Sequence, residues 1–223
     1  MNVGSFRACL SAALLALSAP ALAGVAPTDE LAAPVPVKFM SWFSPNDMPA
    51  YVNMRGGTWR VLTRTTVEPD GKIQSCDAER SSGDPKLDDL TCKIILQRGK
   101  YLPAHWSDGS AVYGVSRTFI TWHIGSSREK VPADFVVKEK QLPHGRRSPV
   151  LVELALAVDE QGHPHSCAQE PQNGGSRVTT DPNLLAIACS TLTESFAGIP
   201  VVDKAGMPVR SVQNATVRFD KKI

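Results

Sequence analysis

The chain lacks any long membrane-crossing run. Its most apolar stretch, Ala8–Leu17, is far shorter than the roughly 20 residues that a spanning helix needs, and Pro20 follows it. It also lacks charge of one sign. Lys and Arg number 24 against 22 Asp and Glu, and no long basic run occurs, so nothing in the composition recommends nucleic acid as a partner. Catalytic signatures are missing as well. There is no Gly-x-Ser-x-Gly elbow and no phosphate loop, while His123 and His144 stand isolated. The expectation is therefore a protein that is not an enzyme, with no cofactor and no small-molecule substrate. Cysteine is scarce, at five residues.

What the beginning of the chain does hold reads as an export signal. Arg7 supplies the positive start, Ala8–Leu17 the apolar segment and Ala21-Leu22-Ala23 the small-residue cleavage site. Cleavage after Ala23 would release the chain outside the cytosol; an uncleaved segment would instead be an anchor. Cys9 leaves with the signal. Cys76, Cys92, Cys167 and Cys189 remain, and an even number in an exported chain favours disulfides.

An internal repeat selects the pairing. "VEPDGKIQSC" (Val67–Cys76) aligns without a gap to "VDEQGHPHSC" (Val158–Cys167). A second register then runs to the end: Cys92 meets Cys189, Pro103 meets Pro200, Gly109 meets Gly206, Val115 meets Val212 and Trp122 meets Phe219. The second copy is longer between its cysteines, and the extra residues belong in the polar stretch "QNGGSRVTT". Two cysteines shared by both copies are explained by one bridge within each, Cys76–Cys92 and Cys167–Cys189. Each would close a loop of roughly 17–23 residues, worth on the order of 3 kcal/mol in the chain-entropy model.

His163, His165 and Cys167 alternate along a strand and so share a face, which raises a zinc or copper site. The repeat argues against it. Lys72 and Gln74 stand where the second copy has the histidines, and only the cysteine persists. No metal site is expected.

The two copies read alike. In the first, Trp59, Val61, Thr63, Thr65 and Val67 alternate on a strand over Thr58–Glu68, and Asp70-Gly71 marks a hairpin turn. The returning strand runs to about Ala78, and a bulge is required if Ile73 and Cys76 are both to face inward. A helix over Pro85–Gly99 is capped by Asp84, with Leu87, Leu90, Ile94 and Ile95 as its apolar stripe and Asp88-Asp89 on its solvated face. A last strand covers Val112–Ile124. The second copy offers Val152–Val158, a helix over Pro182–Ser195 capped by Asp181, and a strand over Val209–Phe219. The fold class expected is α+β, as two tandem units, each a β-hairpin, a helix and a further antiparallel strand. The divisions are a signal at 1–23, a tail at 24–42, units at 43–125 and 148–221, and a linker at 126–147 with a short extended segment at Asp134–Lys138.

"SPNDMPAYVNMRGG", "DG", "SSG", "LDDLTC" and "YLPAHWSDG", with the final strand ending in Trp122, resemble the C-terminal domain of TonB-family energy transducers. The second copy is similar through "LLAIAC", "FAGIPVVDKAG" and "VRF". The resemblance implies a short helix at Pro49–Arg55 and a periplasmic domain that accepts a peptide of an outer-membrane receptor as an added strand. By position the strand edges lie at Val112, Val115, Arg117, Phe119, Ile120 and Trp122, and at Val209, Val212, Val217 and Phe219. The partner implied is a TonB-dependent outer-membrane receptor or another envelope protein. Self-association by joined sheets is the other use of such edges. The departures bear on activity: the apolar start looks cleavable, and Gly24–Val37 is short beside the family's Pro-rich spacer. A binding adaptor fits better than a working transducer, which would need residues 8–23 as an anchor.

Overall fold

The computed structural model describes residues 31–124, 133–142, 148–170 and 181–222. In chain order these form β1 (Val35–Pro36), two short 3-10 turns (Phe39–Ser41 and Pro45–Asp47), α1 (Ala50–Arg55), β2 (Gly57–Val67), β3 (Ile73–Arg80) and α2 (Pro85–Arg98). Then come β4 (Tyr101–Leu102), β5 (Ala104–His105), β6 (Ala111–Ile124), β7 (Phe135–Glu139), β8 (Val150–Val158) and β9 (Pro164–Gln169). α3 (Pro182–Ser195), β10 (Val201–Val202), β11 (Pro208–Val209) and β12 (Ser211–Lys221) complete the chain. The class is α+β, as the periodicity indicates. The export signal, His144 and the "QNGGSRVTT" loop lie outside the described residues. Among the described residues no helix is long and apolar enough to cross a membrane.

Each repeat is a hairpin, a helix and a returning strand. Val61, Thr63, Thr65 and Val67 of β2 are wholly buried, the outcome expected for β-branched residues on one face. The register of β2 on β3 shifts between Thr66 and Val67, and this bulge lets both Ile73 and Cys76 pack against the first core. The two hairpin turns are built alike. Gly71 (φ 83°) and Gly162 (φ 91°) occupy the left-handed region, and a Cβ on either would lie 2.6 Å from a carbonyl oxygen, that of Tyr101 or Gly198.

The helices start as read. Asp84 Oδ1 accepts from Lys86 N at 3.0 Å, and Asp181 Oδ1 accepts from Asn183 N at 3.0 Å, with proline following in both. Asp88 corrects the expected solvated face. Its carboxylate is buried and accepts from Ser82 N (2.9 Å), Ser82 Oγ (2.7 Å) and Ser81 Oγ, while Asp89 is exposed. Serines upstream of the helix solvate it, a contact that helical spacing does not reveal. Disulfides join Cys76 to Cys92 and Cys167 to Cys189, each tying helix to hairpin, with Cα atoms 5.4 and 5.8 Å apart. Such bridges fit an oxidising compartment outside the cytosol.

The two repeats share one sheet, in the order β3-β2-β6-β12-β8-β9. β6 and β12 meet in parallel, with Gly114 opposite Val212 and Val115 opposite Gln213. By the repeat, however, Val115 corresponds to Val212. Equivalent residues therefore face opposite sides of the sheet. α2 covers the side of Ile120 and Trp122, and α3 the side of Ala215, Val217 and Phe219.

The tail expected at 24–42 is instead part of the fold from Leu31 onward. Leu31 and Ala33 are buried against Ala155, Ala157, Ala168 and Val212, on the face of the second repeat that α3 leaves bare. Ala33 N donates to Glu170 Oε1 at 2.8 Å, Ala32 bridges His105, and β1 pairs β4. Small side chains on β8 and β9 admit a second backbone at close range. Trp106 also packs in this cluster, with the Arg210 guanidinium 4.8 Å above its ring.

Candidate functional site

The sheet forks between the repeats. β6 and β12 are paired over Tyr113–Val115 and Ser211–Gln213, and then they part. At the parting point Asn214 Oδ1 accepts from Arg117 N at 2.6 Å, and Asn214 Nδ2 donates to Arg117 O at 3.0 Å. Beyond it, β7 pairs in parallel with Val217–Lys221 of β12. The opposite edge of β12 is taken by β8 from Ser211 to Phe219. β7 therefore lies on the β6 side, inside the fork.

Charge holds the crotch together. Arg117 Nε donates to Glu79 Oε2 at 2.9 Å, its Nη2 meets Glu79 Oε1, and its Nη1 stands 2.7 Å from Asp134 Oδ1. The guanidinium also lies 5.3 Å from the Phe196 ring centroid. Burial opposes the arginine's charge, but the Glu79 hydrogen bonds and the Asp134 charge outweigh it and raise its pKa.

Among the described residues the other prong is open. β2 pairs with β6 without a register shift from Gly114 to Ile124. Arg117 turns its N–H and C=O away from β2, toward Asn214, so by alternation Phe119, Thr121 and His123 do the same. Among the described residues none pairs with these three from the fork side. Along this edge runs a cavity of about 390 Å³, lined by Phe119–His123 on one side and by Phe39, Met40, Phe43, Pro45 and Met48 on the other. Its character is apolar, and Met40 is 85% exposed at the mouth.

The far wall owes its position to the chain before the first repeat. Phe43 meets Trp122 edge-on at 5.7 Å, and the buried Trp42 donates through Nε1 to Val37 O at 3.0 Å. Arg98, in the last turn of α2, binds Asp47 by both nitrogens at 2.6 and 2.9 Å and also donates to Trp42 O. The Arg98 hydrogen bond, then that of Ser44 N, holds the Asp47 carboxyl down at about 2.

The expected edge residues fall into two groups. Phe119, Ile120 and Trp122 line the open cavity. Val112 pairs with Ala104, Val115 is buried beside Gln213, and Arg117 is the ion-pair hub. In the second copy the expected edge is filled. Val209 belongs to β11 and pairs with Val201, while Val212, Val217 and Phe219 are buried in a strand with neighbours on both sides. Thr121 and His123 were not named as edge residues from the sequence, and the wall over Phe39–Phe43 was not named as a site at all. Their signal is the aromatic cluster "FMSWF" just ahead of the repeat.

The alternating histidines are not assembled with a thiol. Cys167 is bonded to Cys189, His163 Nδ1 lies 3.3 Å from Asp159 Oδ2 in an exposed turn, and His165 Nε2 lies 3.3 Å from Arg210. Among the described residues no group of three His, Cys, Asp or Glu converges as a metal site.

No family model, curated protein or solved structure matches this chain.

Proposed function

We propose that the chain is an adaptor of the bacterial periplasm that binds an extended peptide as an added strand on Phe119–His123 of β6. One observation carries this reading: a strand edge that no described residue pairs with lies directly beside an apolar cavity. Three residues offer N–H and C=O groups to a partner backbone, and Ile120, Trp122, Phe39 and Phe43 offer a surface for its alternate side chains. Backbone pairing would supply affinity, and the pocket would supply selection.

Two further features support it. Disulfides in both repeats fit an exported protein. The motifs around "DG", "LDDLTC" and "YLPAHWSDG" resemble the TonB C-terminal domain, for which the ligand is an extended segment of an outer-membrane receptor. A TonB-dependent receptor, or another envelope protein with an extended terminal segment, is the partner proposed.

The test is a titration of isotope-labelled mature chain with a TonB-box peptide of an outer-membrane receptor, read by amide shifts and hydrogen exchange. Protection should appear at Phe119, Thr121 and His123. Thr121→Pro removes an outward N–H while sparing the β2 ladder, and it should weaken binding at least about tenfold, the loss of roughly one hydrogen bond. Protection confined to the outer edges of β3 or β9 would overturn the assignment.

A further inference from the structure

The second repeat shows what a filled edge looks like. β7 runs parallel to β12, placing Phe135 opposite Val217 and Val137 opposite Phe219. Both side chains pack against the second core, and the Phe135 ring stands 6.4 Å from that of Phe196. Asp134, just ahead, donates its N–H to Thr216 O at 2.9 Å and accepts from Thr216 N through Oδ2 at 2.7 Å.

The repeat carries each of these places to the first unit. Val217, Phe219 and Thr216 correspond to Ile120, Trp122 and Phe119. Ile120 and Trp122 line the apolar cavity, and Phe119 turns its N–H and C=O into the fork. The cavity is thus the counterpart of the space that Phe135 and Val137 fill. In the first repeat the residues leading in, Phe39–Asp47, coil into 3-10 turns and wall the slot without filling it.

We propose that β7 is a built-in ligand strand that occupies the second repeat, so that the protein takes one partner strand and not two. The proposal rests on the β6 edge being the docking site, and it adds what that partner looks like. The strand runs parallel to β6, opens with an acidic residue that caps the Phe119 N–H, and carries apolar side chains two residues apart for the cavity. Arg117, paired with Asp134 at 2.7 Å, holds the internal strand in place.

The probe is the segment itself, as the free peptide Ala-Asp-Phe-Val-Val-Lys-Glu-Lys, titrated into the mature chain by calorimetry with hydrogen exchange at β6. Expected is one site per chain, with protection at Phe119, Thr121 and His123, and no binding by a scrambled peptide of the same composition. Val136→Pro tests occupancy. By alternation from Asp134, the Val136 N–H faces β12, so its removal should free β7 and raise the stoichiometry to two. Should that variant fail to fold, Asp134→Asn weakens the same latch without a proline, and the second site should then appear at higher peptide concentration. A stoichiometry that stays at one while exchange shows β7 released would overturn self-occupation. A chain that binds the receptor peptide but not this one would overturn the shared pattern and leave the β6 edge standing. Failure of both peptides would remove the docking site and this inference together.

Discussion

Asn214 takes both backbone groups of Arg117 with one side chain, accepting at 2.6 Å and donating at 3.0 Å. A carboxamide here does the work of the next rung of the ladder, at the position where β6 and β12 separate. Asn214→Ala would leave a partly buried N–H and C=O unpaired, at a cost of about 1–3 kcal/mol. Denaturant unfolding should show that loss, and exchange at Arg117 should rise more than exchange at Leu154. An equal rise at both sites would mean that Asn214 does not close the fork.

The segment from Leu31 to Pro36 should behave as core. Ala33 is 1% exposed, beside the apolar surface of Ala155 and Ala157, and its N–H is bonded to Glu170. Ala33→Asp would bury a charge next to that carboxylate and destabilise by at least about 2 kcal/mol. A stability unchanged within 0.5 kcal/mol, the usual span of a surface substitution of about that size, would show the strap to be dispensable.

Each disulfide spans a comparable loop, 16 residues apart in the first repeat and 22 in the second. Replacing either pair by serine should cost about 3 kcal/mol. The bridges lie on opposite faces of the sheet, so the double replacement should be nearly additive. Non-reducing peptide mapping should recover Cys76 with Cys92 and Cys167 with Cys189, and cross-joined fragments would break the repeat argument.

Acid should loosen the cavity wall as Asp47 is protonated. Asp47 has a folded pKa of about 2 against an ordinary 3.8. A depressed carboxyl contributes stability that is present above its unfolded pKa and lost as pH falls through the folded value. The contribution is therefore whole above about pH 5 and gone only below about pH 2. Arg98 is well exposed, so solvent screens the pair and the effect is small. Tryptophan emission followed on acidification should report it, and Asp47→Asn should abolish the pH-dependent part in that window.

Much of this architecture was legible in the residues. Alternating Val and Thr on β2, Asp-Pro at both helix starts, glycine in both turns and the duplicated cysteine spacing are local constraints, and each acts through neighbours a few positions away. The bulge was readable too, because Ile73 and Cys76 have the wrong parity for one face. Asp88 was not, since the serines that solvate it lie outside the helix and helical spacing says nothing of them. Nor was the role of Leu31 and Ala33, whose partners on the second repeat lie more than a hundred residues away.

The sequence by itself determined two hairpin-helix-strand units and their bridges, because periodicity, capping and cysteine spacing are short-range properties. Only the tertiary structure decided that the units share one sheet with their helices on opposite faces, that β7 fills one strand edge, and that the other borders an apolar cavity. Which edges meet is a competition between backbone groups of nearly equal chemistry, and it is settled by shape and long-range packing that no local pattern encodes.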